Sequence, residues 1–147
     1  MIKTFRGILQ DGDEQKIRLS TKKGKIGYKI IKLELIYYDP SGDDAENVVK
    51  VFKITQPSIT DKIDFSDGNL LAAGYLENNA TDVYTQPLAT IIFDREVFNQ
   101  DIYITNGAGD SASLGVNYYL ELETINMTDN AAAVSTLRDI RLNPEPI

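Results

Sequence analysis

Residues 26 to 38 read Ile26-Gly27-Tyr28-Lys29-Ile30-Ile31-Lys32-Leu33-Glu34-Leu35-Ile36-Tyr37-Tyr38, the longest run in the chain with a period of two and no helix signal. The apolar side chains fall on Ile26, Tyr28 and Ile30, then change phase to Ile31, Leu33, Leu35 and Tyr37, with Lys29, Lys32 and Glu34 between them. A slip of one residue in a strand is what a β-bulge produces, so the run predicts a long strand with a bulge at Ile30/Ile31. Such a bulge lets a strand serve a curved sheet or pass between two packed sheets. This reading points to a sandwich.

Other segments fit the same pattern. Tyr118-Tyr119-Leu120-Glu121-Leu122-Glu123-Thr124-Ile125 alternates, with Tyr118, Leu120 and Leu122 inward and Tyr119, Glu121 and Glu123 outward. Residues 3–9 and 15–20 flank Gln10-Asp11-Gly12-Asp13-Glu14, whose Asp-Gly predicts a hairpin turn. Val48 to Ile54 is rich in β-branched residues and apolar on both sides, predicting a strand buried on both faces and paired with residues 30–38. Lys50 and Lys53 are then expected near its ends or at a surface opening.

Residues 62–65, 89–93 and 101–105 read as further strands. Helix is expected near 69–76, where Leu71/Tyr75 and Ala72/Leu76 stand four apart, and near 130–141. In the second, Thr128 or Asp129 caps an apolar stripe of Ala131, Val134, Leu137 and Ile140 laid over one end of the sandwich. The fold class expected is an all-β antiparallel sandwich of about eight strands, jelly-roll-like, with one or two short helices.

Composition narrows the chemistry. The chain of 147 residues fits one domain, 1–147, with arms at 1–6 and 142–147. It has no cysteine and no histidine, which removes disulfides, thiolate sites, Ser-His and Cys-His catalysis and the commonest metal ligand. Paired acids such as Asp94/Glu96 and Glu121/Glu123 lie two apart on or beside strands, where they share a solvated face, so the chain is not expected to be an enzyme and no cofactor is implied. The 22 acids against 15 Lys plus Arg give a net charge of −7, which disfavours direct contact with nucleic acid. No apolar run approaches the roughly 18 residues of a membrane span.

Thr21-Lys22-Lys23-Gly24-Lys25 is the concentrated positive charge of the chain, and Lys22, Lys23 and Lys25 are candidates for docking a partner. Residues 77–88 lack periodicity and form a long loop with Tyr84 as its candidate anchor. In the loop that follows Tyr38, Asp39, Asp43, Asp44 and Glu46 offer oxygen ligands for calcium, though their spacing misses the EF-hand pattern. An exposed tyrosine set such as Tyr38, Tyr103 and Tyr119 is the basis of a rival reading, a carbohydrate-binding sandwich.

The segments Ile2-Lys3-Thr4-Phe5-Arg6-Gly7-Ile8-Leu9, Ile17-Arg18-Leu19-Ser20-Thr21, Gly24-Lys25-Ile26-Gly27-Tyr28, Ile92 to Thr105, Asn117 to Glu123 and Thr136 to Arg141 resemble the small virion structural proteins of marine bacteriophages. The resemblance spans most of the chain and carries no catalytic residues. It implies a β-sandwich or jelly roll built into or onto a viral shell: a capsid decoration or cement protein, or a minor jelly-roll coat protein. Such a protein would be made in the host cytoplasm and reside at the capsid surface. The partners implied are the major capsid protein or other virion subunits, and the repeated local symmetry of shells favours a homo-oligomer, a trimer first.

Overall fold

The computed structural model describes residues 1–40, 44–78, 88–109, 115–128, 131–132 and 134–137. Within them the strands are β1 (Ile2–Leu9), β2 (Glu14–Ile17), β3 (Ile26–Tyr37), β4 (Ala45–Phe52), β5 (Leu70–Asn78), β6 (Leu88–Phe93), β7 (Ile102–Ala108) and β8 (Val116–Asn126). They form two antiparallel sheets, a small one in the order β1-β8-β3 and a large one in the order β2-β7-β4-β5-β6. Alternation turns one face of each sheet inward, and Leu33, Leu35, Val49, Val51, Ile102, Ile104, Leu120 and Leu122 belong to the core between them. The all-β sandwich expected from the sequence is the fold observed.

The phase slip in β3 is a bulge. Ile30 stands opposite Leu122 and Lys32 opposite Glu121, so Ile31 is the extra residue. Tyr28 and Ile30 on one side of it, and Leu33, Leu35 and Tyr37 on the other, are all buried. The bulge thus keeps one face inward across a change of phase, and the whole strand stays in the small sheet. Beside β8, the start of β3 has a second neighbour: Tyr28 N donates to Phe98 O at 2.7 Å and Phe98 N to Tyr28 O at 2.9 Å.

Pairing joins first strand to eighth, second to seventh and fourth to fifth, as in a hairpin folded over on itself. This corrects three expectations. The Asp-Gly turn is present, with Gly12 at φ 82, but β1 pairs with β8 and β2 with β7, so the turn carries the chain between sheets and does not close a hairpin. Gly12 N donates to Asn106 O at 2.8 Å, which ties the turn to β7. Likewise β4 pairs with β5 and β7, and β3 lies in the other sheet. Residues 2–6, expected as an arm, are the first part of β1, paired with β8; residues 142–147 lie outside the described residues.

β4 is buried on both faces, as expected, because residues 53–69 lie over the outside of the large sheet. Gly107 on β7 makes this possible: a Cβ there would stand 2.5 Å from Thr60 O. Lys50 Nζ donates to Lys62 O at 2.7 Å, and Lys53 Nζ pairs with Glu96 Oε1 at 2.8 Å. Residues 62–65 belong to this covering segment and form no strand, with Asp64 Oδ1 accepting from Ser66 N at 2.9 Å. Residues 69–76 are not a helix: from Leu70 onward they are β5, between β4 and β6. Gly74 suits that position, since a Cβ would overlap Leu35 Cδ1 across the core. Residues 131–132 and 134–137 are helical, and Ala131 N donates to Thr128 Oγ1 at 3.2 Å, the cap the sequence predicts.

Candidate docking surface

Antiparallel strands bring the start of β3 and the connection before β7 to the same end of the sandwich, and the basic loop lies there. Its entry is fixed by Asp101, whose Oδ1 accepts from Leu19 N at 2.7 Å and from Ser20 N at 2.9 Å. Burial alone would raise the pKa of that carboxyl, but the Ser20 and Leu19 amides, the Ser20 side chain and Lys16 at 3.5 Å outweigh it and hold the group below the usual carboxylate range. Gly24 turns the loop at φ 62, with its amide donating to Thr21 O at 3.2 Å.

Asn99 pins the exit. It is fully buried, and its Nδ2 donates to Gly24 O at 3.0 Å, to Thr136 Oγ1 at 2.8 Å and to Ala132 O at 3.4 Å. Ser135 Oγ donates back to Asn99 Oδ1 at 3.4 Å. Loop and helical residues thus share one amide, and Lys25 O accepts from Met127 N at 2.8 Å. Lys22, Lys23 and Lys25 are all exposed on this frame.

The helical stripe reverses the expected orientation. Ala132 and Ser135 face the sandwich, while Val134 and Leu137 are 67% and 56% exposed. A spacing of three defines a stripe but not the side that is buried, and the buried Asn99 amide attracts the polar Ser135 and Thr136 instead. Ile140 lies outside the described residues. The outcome is a pre-ordered end that shows three ammonium groups and two apolar side chains together, a combination suited to an acidic protein surface with an apolar patch.

The other candidates do not converge there. Asp39 and Asp44 are exposed at the opposite end of β3, Glu46 sits on β4 beside the Tyr75 hydroxyl, and Asp43 and Tyr84 lie outside the described residues. Among the described residues no three acids come together as a metal site. Tyr119 lies on the small sheet and Tyr38 just past the end of β3, but Tyr103 lies on the outside of the large sheet beneath Lys16, so the three form no single platform. Asn99 and the outward helix face went unforeseen; a polar residue directly after the apolar Phe98 was the available signal. Comparison with protein-family models, with curated proteins and with solved structures gives no significant match.

Proposed function

We propose that the chain is a structural protein of a bacteriophage particle: a decoration or cement protein on the capsid, with a minor jelly-roll coat protein as the nearest variant. It binds the major capsid protein or other virion subunits as a homo-oligomer. The observation that carries this reading is the nested pairing of first with eighth, second with seventh and fourth with fifth strand. A jelly roll pairs its strands in this way, and viral coat domains are prominent users of it. The third–sixth pair of a complete roll is missing among the described residues: β6 stays on β5, and the start of β3 is bridged instead by Phe98, in the connection after β6. Lectins share the architecture and fold alone does not decide between them. The resemblance of the chain to marine phage virion proteins and the scattered tyrosines favour the shell.

The lysine loop and its helical neighbour supply a firm docking end, and the net charge of −7 suits an outer surface better than a genome-facing one. Mass spectrometry and cryo-EM of purified particles test the reading directly, and absence from the particle defeats it. Binding to undecorated shells at two salt concentrations tests the end itself. The triple variant Lys22→Glu, Lys23→Glu, Lys25→Glu is expected to fold normally and lose salt-sensitive binding; unchanged binding removes the loop from the interface.

A further inference from the structure

The outer face of the small sheet is uncovered among the described residues. Strand register fixes what it displays. One row across β1, β8 and β3 is Arg6, Tyr119 and Glu34; the next is Ile8, Asn117 and Ile36. These six side chains line a shallow depression of about 550 Å³. Ile36 is 63% exposed near the end of the edge strand β3, where it sits in one row with Ile8, and neither Arg6 nor Glu34 forms a salt bridge with another described residue.

We propose that this face docks against the same face of a second copy of the chain, about a two-fold axis running along β8. An isologous contact requires a surface complementary to itself. An axis along β8 exchanges the β1 and β3 columns and leaves each row opposite itself. Arg6 then meets Glu34 of the other copy, Ile8 meets Ile36, and each contact occurs twice, with Tyr119 against Tyr119 and Asn117 against Asn117 at the centre. An axis across the strands fails this test, because it sets Arg6 against Arg6 or against Ile8.

The neighbouring rows mark where the contact ends. Thr4–Glu121–Lys32 and Ile2–Glu123–Lys29 carry glutamates in the central column, which the axis would bring together. Glu121 already accepts from the Tyr119 hydroxyl at 2.8 Å, and Glu123 already pairs with Lys29 at 3.4 Å. A glycan is a poorer occupant, since Lys32 Nζ stands over the Tyr119 ring at 5.9 Å and takes a face a sugar would stack on. The inference rests on the register of three strands and not on a virion role. It replaces the trimer expected from shell symmetry with a dimer.

Sedimentation velocity and light scattering of the full chain over a wide concentration range supply the test, with thermal melts as the folding control. The mass is expected to rise from 16.4 kDa to twice that. Arg6→Glu and Glu34→Arg are each expected to weaken dimerisation by about tenfold or more, and the double variant Arg6→Glu/Glu34→Arg to restore it. Ile36→Lys is expected to abolish it with the melting curve unchanged. A chain that is monomeric throughout, a threefold mass, or a double variant no better than its parents overturns the proposal.

Discussion

The two sheets are built from strands of similar pattern and end in opposite situations. Outside the large sheet, Val48, Lys50, Phe52 and Thr105 are buried beneath residues 53–69; outside the small sheet, Thr4, Arg6, Lys32 and Glu34 stand in water. A lysine that alternates with valines along a strand therefore does not by itself mark a wet face. A covering segment brings its own carbonyls, and the ammonium of Lys50 is satisfied by one of them at 2.7 Å. The small sheet has no such cover among the described residues, so its charges meet solvent, one another or another molecule.

Substitutions should separate the two faces by the size of their effect on stability. The largest is expected for Glu96→Ala, which leaves the Lys53 ammonium, 3% exposed in its side chain, without the carboxylate 2.8 Å away. A loss of about 3 kcal/mol in urea unfolding is expected, while Lys53→Met combined with Glu96→Leu should recover most of it. A loss below about 1 kcal/mol for Glu96→Ala would show that the pair is effectively solvated.

Gly107→Ala comes next. The added methyl would meet the backbone of Thr60 and Asp61, which cannot swing aside as a side chain can, so a cost of about 1–3 kcal/mol and faster proteolysis within 57–66 are expected. Equal proteolysis of variant and wild type would mean that the cover is not held at this point.

Base titration separates the buried tyrosines from the buried lysine by sign. Burial first, then the charges of Tyr75, Glu46 and Glu77, raises the Tyr37 pKa, and burial raises that of Tyr118; both belong to the small sheet. Their neutral forms are favoured in the folded state, so their contribution is complete below the unfolded value of about 10 and is lost as pH rises beyond it. Burial lowers the pKa of Lys50 on the large sheet, against the pull of Asp61 and Asp67. The folded state therefore releases that proton first, and stability gains as pH climbs toward about 10.4. Melting temperature against pH should fall above about pH 10, and Lys50→Met should remove any gain just below it. A wild-type curve that is flat to pH 12 would contradict the burial of both tyrosines.

The smallest effect belongs to the open face. Lys29 and Glu123 stand 3.4 Å apart with side chains 38% and 45% exposed, so Lys29→Ala should change stability by no more than about 0.5 kcal/mol. A change above about 1 kcal/mol would mean that something covers this end of the sheet.

What the sequence disclosed follows the range of each interaction. Alternation is local, so β8 and the bulge at Ile31 were legible from residue spacing, down to the side chains that turn inward. Pairing is not local. The Asp11-Gly12 turn encodes a reversal, but which sheet receives each arm depends on Glu123 to Val116 and on Ile102 to Thr105, about a hundred residues away. The segment from Leu70 to Leu76 misled for a related reason: buried on both sides, it has no polar face to reveal a period of two, and pairs four apart imitate a helix. At the docking end, Lys22, Lys23 and Lys25 were visible as a charge cluster. Asn99 was not, because one amide among many turn residues gains its role only when three segments meet around it.

That amide also sets the grain of motion at this end. Because Asn99 Nδ2 bonds to Gly24, Ala132 and Thr136, the lysine loop and the helical residues are each anchored to the same side chain. A partner that holds Val134 and Leu137 therefore also steadies the anchor of the loop backbone, and one bound to either element meets the other already in place.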